Sequence, residues 1–156
     1  MTDTTPAIEA ATAAGIAFEV VRTQPAGSAE ESADLQRIPL RALLRTLVVR
    51  RATDDYLFVL VPGGRRFDWP KLRAHLGVKR MTMPDADEAR TVTGYERGAI
   101  TPFGAAKALP VIVDGVALEE PLVAIGGGAR GVNLHLAPRE LVEKLGAEVV
   151  DVATDE

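Results

Sequence analysis

Few residues in this chain can do chemistry, and their spacing narrows the choice further. Cysteine is absent and histidine occurs twice, at His75 and His135. That removes thiolate catalysis, disulfides and Cys-ligated metal together. A catalytic zinc site needs two or three His ligands close together, and no H-E-x-x-H occurs, so no metal site is expected. Gly126-Gly-Gly-Ala-Arg-Gly131 matches G-x-G-x-x-G letter for letter. A dinucleotide site needs those glycines between a strand and a helix, where the pyrophosphate meets the helix N-terminus. Here they precede Val132–Leu136, which alternates like a strand, so the Rossmann reading fails on context. A glycine turn between strands can still present backbone N–H groups to an anion or a carbonyl. It can equally be a plain turn with positive φ. Neither G-x-x-x-x-G-K-[ST] nor G-x-S-x-G is present, which argues against a P-loop or a hydrolase nucleophile elbow.

The elements that must hold these residues fit one domain spanning residues 1–156, a length that suits one sizeable core. The apolar runs are far shorter than the ~20 residues of a membrane helix. The segment Met1–Pro6 lacks a basic stretch followed by an apolar one, so no secretory signal is expected and a cytoplasmic location fits. The formal net charge is −4, but it is unevenly spread: residues 37–80 carry eleven bases and three acids, while both flanks are acidic. Such a middle segment suits either a solvated surface or local attraction of a polyanion. It is too narrow for groove-wide DNA binding, whereas contact with one end of an RNA needs less.

Pro6–Ala14 reads as a helix with Thr5 as cap, and Ile16–Val20 as a strand. Ser28–Leu35 reads as a helix capped by Ser28, with Glu31 at the capping-box position. Arg45–Arg50 and Tyr56–Val61 read as a hairpin, and Asp68–Leu76 as a helix stopped by Gly77. Asp85–Arg90 suggests another short helix. Thr93–Gly104 is a turn-rich loop, long enough to suggest function. Pro110–Val113, Leu122–Ile125 and Val132–Leu136 read as strands, Pro138–Leu145 as a helix, and Glu148–Val152 as a last strand. Short, mostly hairpin-connected strands with marginal helices predict an α+β fold with a mixed, partly barrel-like sheet.

Five segments together resemble the YbaK-type aminoacyl-tRNA deacylases, relatives of the prolyl-tRNA synthetase editing domain. They are Leu44–Val48; Val61-Pro62 with Phe67–Leu72; Thr93–Gly104, with its Gly-Tyr-x-x-Gly-x-x-x-Pro-x-Gly run; Leu109–Asp114; and Gly127–Gly131. The resemblance implies a mixed sheet around a pocket, flanked by helices. It also implies hydrolysis of the ester at the 3′ end of a mischarged tRNA, with the tRNA acceptor end as partner and an aminoacyl-tRNA synthetase as a further candidate partner. Such an ester is already reactive. A catalyst need only hold the terminal adenosine, orient the carbonyl, admit water or a substrate hydroxyl, and stabilise the oxyanion with backbone N–H groups. No cofactor, metal or protein nucleophile is required.

Carried over by position, Gly98, Ala99, Ile100, Thr101 and Pro102 are expected to line the pocket, with Gly98 catalytic. Gly127 and Gly128 form the facing turn, and Thr46 contacts substrate. Arg45 stands where the family has a substrate-contacting lysine. Arginine stays protonated, so it can clamp a phosphate or carbonyl but cannot transfer a proton. Asn133 stands where family members often carry an acid, and Arg22–Pro25 is shorter than the segment of cysteinyl-tRNA-clearing members, so that specificity is not carried over. Asn133 and His135 share a strand face. That leaves His135 either near the pocket rim or as an ordinary, partly exposed strand histidine. Trp69, Phe67 and Phe103 could stack on a base but suit packing better. The substitutions at positions 45 and 133 also suit a binding module that kept the pocket and lost hydrolysis. A regulatory protein using an exposed sheet is a third reading.

Overall fold

The computed structural model describes residues 4–156. The signal-peptide reading of Met1–Pro6 therefore falls partly outside the described residues.

Helix α1 (Pro6–Ala13) starts because the Thr5 hydroxyl accepts the Ile8 N–H and Pro6 occupies the first turn, and it buries Ala7 and Ala11. Strand β1 (Phe18–Arg22) begins later than the alternation suggested, because Ile16 is spent on the return from α1, its N–H bonded to the Ala11 carbonyl. Helix α2 (Ala29–Gln36) is capped by Ser28, which accepts from the Glu31 N–H. The Glu31 carboxylate bonds the Gly27 N–H, one residue outside the usual capping box.

Strands β2 (Leu44–Ala52) and β3 (Asp55–Pro62) form an antiparallel hairpin with Arg45 opposite Val61 and Thr46 opposite Leu60. After it come β4 (Arg65–Phe67), α3 (Trp69–Leu76) and α4 (Ala86–Thr93). The chain continues through β5 (Val111–Asp114), β6 (Val123–Gly126), β7 (Val132–Leu136), α5 (Pro138–Leu145), β8 (Glu148–Val150) and β9 (Ala153–Asp155).

The fold is α+β with mixed sheets. One sheet has the order β1-β7-β6, a second β2-β3-β5-β8, and β4 pairs with β9. A bridge from Leu43 to Ala124 joins the first two sheets into a curved surface. Hairpins were expected to dominate, yet β5 and β8 enter parallel to their neighbours. Their buried, non-alternating runs carry no mark of direction.

Strand β2 lies between two cores, and its alternation sorts its side chains. Leu44 and Val48 join the larger cluster with Phe58, Leu60, Ile125 and Leu134. Leu47 and Val49 join a smaller one with Leu57, Val61, Leu72 and Val152. By the same alternation, Thr46 takes the face of Leu44 and Arg45 that of Leu47. Trp69 packs beside Phe67, ring centroids 4.8 Å apart, in the smaller cluster, and Phe103 is buried in the larger. No helix among the described residues is long and apolar enough to cross a membrane.

Candidate active site

A cavity of about 420 Å³ opens where five segments meet: the loop after β1, α2, the start of β2, the loop after α4, and the turn joining β6 to β7. Hydroxyl-bearing Thr23, Ser28, Ser32 and Thr46, along with Asn133, Gly98 and Gly126, border it, as do Arg45 and Arg130; among the described residues no carboxylate does.

The loop after α4 is pinned from within. The Thr93 hydroxyl donates to the Ala89 carbonyl (2.8 Å) and accepts the Tyr95 N–H (3.1 Å). The Tyr95 hydroxyl donates to the Phe103 carbonyl (2.7 Å), and burial pushes this phenol up to about 12, so it remains a donor at any working pH. The loop then meets the β6–β7 turn at two close approaches. A Cβ at Gly126 would lie 3.2 Å from the Ile100 carbonyl oxygen. Gly98, at φ +91°, packs against the Arg130 side chain. The Arg130 guanidinium donates in turn to the Arg97 carbonyl (3.2 Å).

Of the residues singled out from the sequence, Arg45, Thr46, Gly98, Ile100 and Asn133 border one cavity. Ala99 and Thr101 are buried beneath the loop, with the Ala99 N–H on the Glu96 carbonyl, and with Pro102 they shape it without bordering the cavity. Gly127 and Gly128 are turned toward α1. The Gly127 carbonyl accepts from the Thr5 hydroxyl, and Gly128 sits against Tyr95, Ala7 and Thr5. Gly126 and Ala129–Gly131 wall the cavity instead. The Arg45 guanidinium donates to the Arg65 carbonyl, 4.0 Å from the Glu156 carboxylate, and its side chain is 37% exposed. The Thr46 Oγ1 is buried without a partner. Asn133 donates to the Val21 carbonyl (3.3 Å).

His135 is neither at the rim nor partly exposed. It is 7% exposed and bonded to Gln36, because α2 covers the outer side of β7 and makes both of its faces internal. Burial lowers its pKa, with Glu19 opposing.

Residues 23–144 match the profile of the aminoacyl-tRNA editing domain. The chain belongs to that family. It is 26% identical over 129 residues to EbsC of Enterococcus faecalis, assigned as a Cys-tRNA(Pro)/Cys-tRNA(Cys) deacylase, with 83% of this chain and 79% of that one aligned. It is 31% identical over 110 residues to the proline–tRNA ligase of Thermosipho africanus, covering 70% of this chain but only 19% of the ligase. Among solved structures it resembles APE2540, a hypothetical protein, at a TM-score of 0.87 and 29% identity over 95% of this chain and 99% of that one. A protein described as a trans-editing enzyme for prolyl tRNA synthetase also matches at 0.87, with 27% identity over 97% of this chain and 95% of the other.

In this editing domain the sequence reasoning missed the α2 wall, Ser28 and Ser32, and the exposed cation Arg130. Arg130 lies inside the glycine motif and was open to notice there. The α2 wall was not, because nothing local says which helix face meets a cavity built by distant strands.

Proposed function

We propose that this chain hydrolyses the ester at the 3′ end of a mischarged tRNA, acting in trans as an aminoacyl-tRNA deacylase. The observation that carries this is the cavity wall itself, made of hydroxyls, an amide and main-chain groups, with two arginines and, among the described residues, no acid at its border. Such a wall can orient a neutral ester and accept a phosphate at the edge, but among the described residues no imidazole, amine or carboxylate borders it to activate its hydroxyls as nucleophiles. The attacking group is water or a hydroxyl of the terminal ribose.

As the carbonyl carbon becomes tetrahedral, charge collects on its oxygen. The Ala99 N–H is committed to the Glu96 carbonyl, while the N–H groups of Gly98 and Ile100 carry no intramolecular hydrogen bond among the described residues. Those two are the natural oxyanion donors, and a preorganised donor of this kind contributes about 3 kcal/mol to the barrier reduction. Thr46 Oγ1, buried without a partner, gains one by rotating about χ1 toward the substrate. Arg130, and Arg45 once it leaves the Arg65 carbonyl, supply positive charge for the terminal phosphate. Arg45 acts as a fixed charge, because its guanidinium does not release a proton.

The test is a panel of mischarged tRNAs. Release of one amino acid well above the buffer rate is expected, and a panel with no release above that rate would sink the proposal. Arg45→Lys sharpens it. Equal or higher kcat/KM marks the guanidinium as a substitute for an ammonium, and a loss of about tenfold or more marks its fork geometry as needed.

A second reading is favoured by the Arg45 guanidinium, held on Arg65 beside Glu156. In that state the chain would be a module that binds acceptor ends or aminoacyl-adenosine-like ligands without turnover. Tight binding of a non-hydrolysable aminoacyl-adenosine analogue, with no hydrolysis of any ester, is its signature.

A further inference from the structure

The sequence placed nothing on the inner face of α2, yet a buried polar chain runs from the core through that helix to the cavity. His135 Nε2 lies 2.8 Å from Gln36 Oε1, and Gln36 Nε2 donates to Ser32 Oγ at 2.9 Å. His135 is 7% exposed and Gln36 5%. Ser32 borders the cavity, and the other two do not. In the amide orientation of this structure Gln36 Oε1 faces the ring and can only accept, which puts the imidazole proton on Nε2, and the Gln36 amide N–H₂ points to Ser32. One lone pair of Ser32 Oγ is thereby occupied.

Helical hydroxyls elsewhere in this chain donate back to a carbonyl four residues earlier: Thr12 to Ile8, Thr91 to Asp87, Thr93 to Ala89. Ser32 makes no such bond, so its O–H is left as a donor on the cavity side. Ser32 is half-buried, whereas the His135 and Gln36 groups behind it are buried and would be costly to leave unpaired. A His–Gln pair sealed in the core and ending on one serine is more than packing requires.

We propose that Ser32 is a substrate-contacting hydrogen-bond donor and that Gln36 and His135 are positioning residues that fix its hydroxyl. Its acceptor is an uncharged oxygen of the aminoacyl-adenosine, either on the ribose or on the amino-acid side chain. This rests on the deacylase proposal for what enters the cavity, but it is tested separately.

The measurement is kcat and KM on tRNA mischarged with alanine and with serine. Ser32→Ala should lower kcat/KM about tenfold, and Ser32→Thr, which keeps a hydroxyl, should retain most of it. Equal loss on both esters assigns the acceptor to the ribose, and loss on the seryl ester alone assigns it to the side chain. Gln36→Met should cost about threefold to fivefold in the parent chain and nothing further once Ser32 is alanine, because the pair acts as a unit. His135→Gln keeps a donor near the Nε2 position and should recover activity to within about twofold, whereas His135→Phe should not. Unchanged kcat/KM in Ser32→Ala on both esters overturns the proposal, as does an equal Gln36→Met loss with and without Ser32. If the Gln36 variant fails to fold, the Ser32→Ala and Ser32→Thr pair decides alone. If the parent chain turns over neither ester, whichever ester the mischarged panel shows it to release takes their place, and only a panel with no release sinks the deacylase proposal. The same variants are then read by the Kd of non-hydrolysable alanyl- and seryl-adenosine amides, where weakening by Ser32→Ala upholds the Ser32 assignment and its absence overturns it.

Discussion

Two polar clusters flank β2, and they differ in how fully their groups are paired. On the Arg45 side, every guanidinium nitrogen of Arg65 has a partner: Nε on Asp114 (3.0 Å), one terminal nitrogen on Asp155 (2.8 Å), the other on the Ala153 carbonyl (2.9 Å), with its own carbonyl taken by Arg45, whose Nε is buried without a partner. The second carboxylate oxygen of Asp114 accepts the Val152 N–H (3.1 Å). Lys71 adds Asp151 and a second bond to the Ala153 carbonyl. On the Thr46 side, the cavity holds an unpaired hydroxyl and unpaired loop amides. Apart from Arg45, which also borders the cavity, the first cluster serves the fold by tying β9 to β4 and β5. An unsaturated one stores hydrogen bonds for something that arrives later. Charge alone does not separate the two, since Arg45, Arg65 and Lys71 of the basic middle segment meet in the first cluster while Arg41, Arg50 and Arg51 pair elsewhere.

The comparison breaks if the saturated cluster proves dispensable for folding. Asp114→Ala leaves Arg65 partly buried without its main partner and the Val152 N–H unmatched. A loss of about 3–5 kcal/mol in urea unfolding is expected, with no deacylation phenotype beyond the fraction unfolded. Tyr95→Phe probes the join between clusters and loop. It removes the donor from a buried Phe103 carbonyl, costs about 1–2 kcal/mol, and should raise KM by loosening the loop that carries Gly98. Thr46→Val sharpens the contrast from the other side. It replaces an unpaired buried hydroxyl with a methyl of similar shape, so unfolding free energy should hold or rise by up to about 1 kcal/mol while kcat/KM falls. If Thr46→Val loses stability instead, its hydroxyl belongs to the fold and not to the site.

The unequal pairing also explains what the sequence could reveal. Helix α5 and strand β7 match their expected bounds to the residue, since Pro138, Gly146 and strict alternation are local signals. Strands β4 and β9 did not show. Each has three residues, and they exist because Arg65 and Asp155 meet across ninety positions of sequence. The site followed the same rule. Thr46, Gly98, Ile100 and Asn133, expected through a motif resemblance that preserves order, border the candidate cavity. Gly127 and Gly128 were misplaced by one or two residues, because φ +91° at Gly128 turns the chain toward α1, and the letters of a glycine run do not say which peptide faces inward.

His135 gives the smallest predicted effect and the finest division between the two kinds of cluster, because it is a paired group that ends at the unpaired site. Its pKa is lowered from 6.5 by burial, and Glu19, opposite it across β1 and β7, pulls the other way. Gln36 is neutral, so no carboxylate is hydrogen-bonded to the ring. A depressed folded pKa means that the unfolded chain binds the proton more readily. The neutral ring therefore costs nothing above about pH 6.5, and stability is lost as pH falls from there through the folded value. His135→Gln removes the titration and keeps the bond to Gln36. The parent chain should lose unfolding free energy relative to that variant between about pH 6.5 and 5, and the two should run parallel above pH 7. A parent chain that gains stability on acidification would mean that Glu19 outweighs burial and that the ring is charged where it meets Gln36. The amide would still accept from Nε2, but α2 would then be held by a buried cation, and the strength of its grip on Ser32 would vary with pH.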